Sequence, residues 1–155
     1  MKVSPEDICS LLGAVAQRWS AASNIADTGA HHGYRQVGIV VGGHLEVPEF
    51  ADVLAQFTPV RAAWLSRIEP GGYVLPHIDA GPYCERWQIP FTADGALFHG
   101  DEMVTHEVGV PFQVRHFDWH EVRNESDADR VSLVVDRAVL LAVPSGPFRL
   151  KHEER

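Results

Sequence analysis

Histidine and aspartate occur twice at a spacing that could place both side chains on one metal ion. The two triplets are His77-Ile78-Asp79 and His116-Phe117-Asp118. Residues two apart on an extended chain point to the same side, so each imidazole and its carboxylate can meet one ion. Because the 155 residues include nine histidines, such a triplet carries little information by itself, and its surroundings must decide between the two.

The first triplet has the more informative surroundings. It follows a predicted turn at Pro70–Gly72 and a short extended segment, Tyr73–Leu75. His120 is the candidate for a third ligand, and two histidines with one carboxylate form the ligand set of non-haem Fe(II) oxygenases. Ten residues later, Arg130 begins an apolar strand, where a guanidinium could pair bidentately with a dicarboxylate.

A rival ligand set consists of His116, Asp118 and His120, which alternate along a single stretch. On a straight strand, the Cα atoms of His116 and His120 would be about 13 Å apart, from a rise of ~3.3 Å per residue. Metal–nitrogen distances near ~2.1 Å are hard to reach from such positions. We therefore favour ligands from two separate strands. If His120 points inward, alternation along a straight strand would turn Asp118 and His116 inward as well, so we expect a bend near Trp119.

The elements that must position these residues are mostly short strands, preceded by two helices. Ser4 is a good N-cap with Pro5 at the first helical position, and a second helix is predicted from Pro48 to about Phe57. His31 and His32 are predicted to lie in an exposed Gly-rich loop between the helices. The strongest strand signals are Val37–Val41, Ala62–Ile68, Tyr73–Leu75, Pro111–Phe117 and Arg130–Val135. Short strands between Gly/Pro turns indicate an antiparallel sandwich or barrel.

Composition restricts the class of partner. The formal net charge of −8 disfavours binding to nucleic acid or to an anionic membrane surface. Cys9 and Cys84 show no CxxC pattern, and two reduced thiols are the simpler interpretation. The first residues lack an apolar signal-peptide core. We therefore expect a cytoplasmic protein that forms a single domain over residues 1–155.

From about Trp64 to Asp136, the sequence resembles the aspartyl/asparaginyl β-hydroxylase family of Fe(II)- and 2-oxoglutarate-dependent oxygenases. The segments that carry the resemblance are Leu65–Gly72, Leu75–Asp79, Arg86–Pro90, His120–Ser126 and Arg130–Leu133. Together they span about half of the chain in the order typical of the family. The resemblance implies a mainly β, cupin-like double-stranded β-helix (a jelly roll), with a matched core at about 62–137 and a helical N-terminal part at about 4–58.

The resemblance also assigns roles to individual residues. His77 and His120 correspond to the two iron-binding histidines of the family. Arg130 corresponds to the arginine that clamps the distal carboxylate of 2-oxoglutarate. Ser66 and Arg86 correspond to positions that contact the carboxylates of this co-substrate, and O₂ is the second co-substrate.

Two positions depart from the pattern of some family members. Gln88 stands where some members carry a histidine that contacts the co-substrate, and its amide could still donate a hydrogen bond. Asp79 stands where some members have glycine and bind iron through two histidines alone. We interpret Asp79 as a third ligand; the alternative is that it caps a turn at Ala80–Pro82.

The implied function is hydroxylation of an amino acid, an amino-acid-derived metabolite or a peptide side chain. Two rival interpretations belong to other classes. A cupin-like binding module would keep the barrel without turnover, and a zinc-dependent hydrolase or isomerase would use the same histidines. Turnover of 2-oxoglutarate and the identity of the active metal distinguish the three.

Overall fold

The computed structural model of the protein describes residues 2–19, 30–79 and 84–139. Within these segments the chain forms helix α1 (Pro5–Val15), a 3-10 turn (Pro48–Phe50), helix α2 (Ala51–Ala55) and nine strands. The strands are β1 (His31–Val41), β2 (His44–Leu45), β3 (Val60–His77), β4 (Cys84–Pro90), β5 (Ala96–His99), β6 (Glu102–Met103), β7 (Phe112–Val114), β8 (His120–Arg123) and β9 (Arg130–Ala138). The expected mainly β class with packing helices near the N-terminus is confirmed.

Both helices begin where the sequence predicts them. The side chain of Ser4 accepts a hydrogen bond from the amide of Asp7 at 3.1 Å and so caps α1. The second helix is divided into the 3-10 turn and α2, and it ends at Ala55, before the predicted Phe57. Both helices bury one apolar side, formed by Ile8, Leu11, Val15, Phe50, Val53 and Leu54. Neither helix, among the described residues, is long and apolar enough to cross a bilayer.

Strands β3, β9 and β4 lie side by side in the sheet. Successive side chains along each strand point to opposite faces of the sheet, and the two faces have different environments. Leu65 and Ile89 are fully buried and pack with apolar residues of α1 and α2 in the main core. Their sequence neighbours Ser66 and Gln88 line an internal cavity on the opposite face. One face of these strands therefore supplies stability and the other supplies polar groups to a cavity.

The sheet is built around β3, which is 18 residues long. Its first half pairs with β9 and its second half with β8, while β1 pairs with both halves. The strand order is β6-β5-β8-β3-β9-β4-β7, and the antiparallel sheet curls into a half-barrel. Strands β1, β3, β4, β8 and β9 all contribute residues to the cavity.

The predicted turn at Pro70–Gly72 is wrong, because β3 continues through these residues. Gly71 adopts a positive φ of 72°, which glycine tolerates and which kinks the strand. The amide of Gly71 donates to the carbonyl oxygen of Asn124 at 2.8 Å, and the Asn124 amide donates to Gly72 at 2.9 Å. These cross-strand bonds keep the segment within the sheet, with a shift in its register to β1, although its sequence favours a turn.

The predicted strand Pro111–Phe117 is too long. Strand β7 ends at Val114, and a turn follows in which the amide of Asp118 donates to the carbonyl oxygen of Arg115 at 3.0 Å. The chain then straightens again at His120, where β8 begins. The bend expected near Trp119 is therefore confirmed, and it removes the alternation that would have placed His116 and His120 on one strand.

The predicted loop at His31–His32 is also wrong, since both residues belong to β1. His31 pairs with Val74 and His32 with Tyr73 of the extended second half of β3. Pairing with β3 makes this segment a strand, because the strand propensity of a polar segment is a weak predictor of its conformation. The part of the chain predicted as helical, about 4–58, thus contains an 11-residue strand of the central sheet.

Candidate metal centre

The two histidines predicted as ligands lie opposite each other on neighbouring strands. His77 ends β3, and its partner in the register is His120 at the start of β8. The Nδ1 of His77 lies 2.8 Å from the carbonyl oxygen of Leu75, and the Nδ1 of His120 lies 3.0 Å from that of Asp118. A carbonyl oxygen can only accept, so each Nδ1 donates, and Nε2 is the ring atom that faces Asp79 and can bind a metal once it carries no proton.

The Asp79 carboxylate lies close to both imidazoles, whose ring centroids are 4.3 Å apart. Its Oδ1 is 3.6 Å from Nε2 of His77, and its Oδ2 is 3.3 Å from Nε2 of His120. One ligand atom from each of the three residues lies within 4.8 Å of the others. The predicted trio is thus brought together, and its nitrogen and oxygen donors suit a borderline divalent metal ion. The alternative turn at 80–82 lies outside the described residues.

Electrostatics keep the Asp79 carboxyl ionised. Its partial burial alone would raise the pKa, but the hydrogen bond with His120 and the positive charge of Arg86 outweigh this effect. The pKa of Asp79 is lowered from 3.8 to about 2. An ionised carboxylate is the form that binds a cation, so the group is ready for this role at neutral pH.

The second triplet does not converge in the same way. The His116 side chain is buried against Phe117, with ring centroids 3.9 Å apart. Asp118 is exposed and lies 3.8 Å from Arg115. The backbone of this segment nevertheless serves the first triplet, because the carbonyl oxygen of His116 accepts a hydrogen bond from the Asp79 amide at 3.0 Å.

A cavity of about 310 Å³ extends from this trio into the half-barrel. It contains all four residues predicted to bind the co-substrate: Ser66, Arg86, Gln88 and Arg130. Apolar side chains complete its wall: Ile68, Val74, Val122 and Val134. A few convergent polar groups among apolar side chains are typical of small-molecule sites.

Arg130 is the most unusual residue of the cavity. Its side chain is only 2% exposed, and its Nη2 donates to Oε1 of Gln88 at 3.2 Å. Within the described segments, Nε of Arg130 has no hydrogen-bond partner and no carboxylate forms an ion pair with it. Burial lowers the pKa of the guanidinium to about 10, which still leaves it charged at neutral pH. A buried cation without an anion fits a site for an anionic ligand.

A sequence profile of the family described as Aspartyl/Asparaginyl beta-hydroxylase matches residues 43–138. The matched segment is more than half of the chain and contains every site residue predicted from the sequence. The chain belongs to this family. The resemblance noted in the sequence is therefore confirmed. A comparison with curated proteins gave no match.

Solved structures similar to this β-hydroxylase family member share its fold. A predicted oxalate decarboxylase from Thermotoga maritima has a TM-score of 0.55 at 14% identity, covering 79% of this chain and 97% of its own. A cupin-2 domain from Rhodospirillum rubrum has a TM-score of 0.53 at 12% identity, covering 76% and 68%. The polyketide cyclase RemF from Streptomyces resistomycificus has a TM-score of 0.52 at 13% identity, covering 81% and 84%. At these identities, the likeness establishes the cupin fold alone.

Part of the cavity wall of this family member comes from outside the matched segment. Tyr34 and Gln36 of β1 line the cavity together with His31. Sequence interpretation missed them because it placed no strand before Val37. The available signal was the spacing of two between Tyr34 and Gln36, which puts both on one side of a strand.

Arg86 is also in the cavity, but its guanidinium already contacts carboxylates. It donates to both carboxylate oxygens of Asp136, at 2.8 and 2.9 Å, and to Oδ2 of Asp79. Its Cζ lies 5.0 Å from the centroid of the Trp64 ring. Sequence interpretation did not identify Asp136 or assign Trp64 a role in the site. Asp136 could have been found from its strand, because it is six residues after Arg130 and therefore faces the same side.

Proposed function

We propose that the protein is an Fe(II)- and 2-oxoglutarate-dependent dioxygenase that hydroxylates an amino acid, an amino-acid-derived metabolite or a peptide side chain. One observation carries this proposal: the His77–Asp79–His120 cluster shares its cavity with Arg130, a buried guanidinium without an anion among the described residues. A metal site alone would fit many enzymes. A metal site with a buried cation in the same cavity fits a co-substrate that chelates metal at one end and carries a carboxylate at the other.

The metal would be held by Nε2 of His77, Nε2 of His120 and the Asp79 carboxylate. Three protein ligands leave coordination positions for a co-substrate and for dioxygen. Iron in such a site supplies dioxygen activation coupled to the oxidative decarboxylation of 2-oxoglutarate, and the protein supplies orientation and charge. The backbone carbonyls that accept from the two Nδ1 atoms fix the orientation of both rings.

The distal carboxylate of 2-oxoglutarate would bind Arg130, with Ser66 as a further donor. Gln88 already accepts from Arg130 through Oε1, which orients the guanidinium and leaves the amide nitrogen of Gln88 as another donor. The apolar side chains of Ile68 and Val134 belong to the wall of the same cavity. A charge-assisted, bidentate contact with a buried guanidinium is strong and selects a planar carboxylate.

The substrate class follows from the size and charge of the site. About 310 Å³ is near the lower end of the range for small-molecule pockets, roughly 300–1,000 Å³. After the co-substrate is placed, the remaining space suits one amino-acid side chain or a compact metabolite. The net charge of −8 argues against a nucleic acid substrate. The family description, which names aspartyl and asparaginyl hydroxylation, points to the same class.

The test is a turnover assay with Fe(II), 2-oxoglutarate and ascorbate against a panel of amino acids and short peptides. We expect succinate to form and one panel member to gain the mass of one oxygen atom. Zn(II) should not replace Fe(II). If no panel condition yields succinate while Zn(II) supports hydrolysis or isomerisation, the zinc enzyme is the correct interpretation. Binding of 2-oxoglutarate without any turnover would instead support the binding module.

Asp79 is expected to be a true ligand. Asp79→Ala should weaken Fe(II) binding by tenfold or more and remove most turnover, since one of three protein ligands is lost. Asp79→Glu keeps a carboxylate on a longer side chain and should retain a fraction of both. Fe(II) titration under anaerobic conditions provides the measurement. Full Fe(II) affinity and full activity in Asp79→Gly would show that this protein works with two histidines alone.

A further inference from the structure

The guanidinium of Arg86 is held on three sides. The Asp136 carboxylate binds it bidentately from the neighbouring strand β9, where Asp136 is the direct cross-strand partner of Arg86. The third nitrogen, Nη1, donates to Oδ2 of Asp79. The Trp64 ring covers one face. With both its donors and its face occupied, the Arg86 side chain has one defined orientation.

The orientation of the Asp79 side chain depends on contacts with other side chains more than the orientations of the two histidines do. His77 and His120 belong to paired strands, and each ring is oriented by a backbone carbonyl of its own strand or turn. Asp79 lies beyond the end of β3, outside any strand. Its amide is fixed by His116. Among the described residues its carboxylate contacts the side chains of His77, His120 and Arg86, of which Arg86 is permanently charged.

Because Arg86 is shared between Asp136 and Asp79, it compensates only part of the negative charge of Asp79. Asp136 takes two of the three contacts, so Asp79 is oriented by Arg86 without having its negative charge fully compensated. If Asp136 lost its charge, Arg86 could turn toward Asp79 and compete with a metal ion for the same oxygens. The pair therefore both positions the carboxylate and limits how strongly Arg86 holds it.

We propose that Arg86 and Asp136 form a positioning pair for the metal-binding carboxylate of Asp79, and that Arg86 does not bind the co-substrate in this protein. This inference rests on the proposed metal site. It reassigns a residue that the family resemblance links to the co-substrate, and it leaves Arg130 as the cavity cation that is available to an anion. Because position 79 is an aspartate in this protein, Arg86 binds this carboxylate and that of Asp136 in place of the co-substrate.

The test measures metal binding without turnover. The apo protein is titrated with Co(II), whose visible absorption bands report the number and kind of ligands. Asp136→Asn should bind Co(II) about 10–100-fold more weakly, the range for loss of a residue that orients a metal ligand, with altered band positions. The matched control is Glu85→Gln, which removes an ion pair with Arg137 (3.2 Å) one residue along the same two strands and outside the metal cavity. Its Co(II) affinity and spectrum should equal those of the wild type.

A second variant separates positioning from co-substrate binding. Arg86→Lys keeps the charge but cannot bind Asp136 bidentately. It should weaken Co(II) binding, while the Kd of 2-oxoglutarate for protein saturated with Co(II) stays within about threefold. Weaker 2-oxoglutarate binding with unchanged Co(II) affinity would overturn the inference, as would a wild-type spectrum and affinity in Asp136→Asn. If Asp136→Asn fails to fold, Arg86→Lys decides the question. If the wild type itself binds no Co(II), the proposed metal site fails with it.

Discussion

Replacing either His77 or His120 by alanine is expected to abolish Fe(II) binding and turnover. Each residue supplies one of the three ligand atoms that converge within 4.8 Å. Loss of a residue that only orients a ligand already weakens metal binding about 10–100-fold, so loss of a ligand should exceed this. Anaerobic Fe(II) titration and succinate formation are the two measurements.

The control is His116→Ala, which tests the rival triplet. The His116 ring is buried against Phe117 and contributes only its backbone carbonyl to Asp79. We expect this variant to lose some stability and to keep its Fe(II) affinity, with folding checked by its melting temperature. Loss of iron with His116→Ala but not with His77→Ala would transfer the metal site to the second triplet.

The convergence of these ligands could be predicted because it depends on local pattern. A spacing of two on an extended chain fixes the side on which His77 and Asp79 lie, whatever the rest of the fold does. The need for a second, distant histidine followed from the ligand set of non-haem Fe(II) oxygenases. The bend before His120 followed from alternation, since an unbent strand would turn His116 and Asp118 inward together with His120.

Features that depend on tertiary pairing could not be predicted in this way. The Pro70–Gly72 segment has the composition of a turn, yet its hydrogen bonds to Asn124 keep it within β3. His31 has no local strand signal, yet pairing with Val74 makes it part of β1 and of the cavity wall. The contact of Arg86 with Asp136 joins residues 50 positions apart, and the register that aligns them is a property of the assembled sheet.

Arg130→Met is expected to raise the KM for 2-oxoglutarate by a factor of 30 or more. Removing one partner of a buried, hydrogen-bonded charge pair costs about 2–5 kcal/mol, and Arg130 is the cavity guanidinium that no described carboxylate neutralises. Methionine fills a similar volume without charge, so the loss reports the missing guanidinium more than a new cavity. An unchanged KM would exclude Arg130 and make Arg86 the candidate.

The same substitution should stabilise the protein when no ligand is present. The pKa of Arg130 in the folded protein, about 10, lies below its ordinary value of 12.5, so the unfolded chain holds the proton more tightly. At any pH below about 10, burial of the charged guanidinium lowers the free energy of unfolding by its full amount. This amount is on the order of 3 kcal/mol, at 1.36 kcal/mol per unit of pKa difference. The penalty shrinks as pH rises from 10 towards 12.5. Gln88 loses a donor in the variant, which offsets part of the gain.

These two effects predict that ligand binding narrows the difference in melting temperature between the two proteins. Without ligand, Arg130→Met should melt a few degrees above the wild type. With Mn(II) and 2-oxoglutarate at a hundredfold excess over the wild-type Kd, the wild type gains about 2.7 kcal/mol of stability, whereas a variant that binds about 30-fold more weakly gains about 1 kcal/mol or less from the co-substrate. Mn(II) alone should shift both proteins equally, because Arg130 is not a metal ligand. Equal stabilisation of both proteins by 2-oxoglutarate would mean that the buried charge of Arg130 has another purpose.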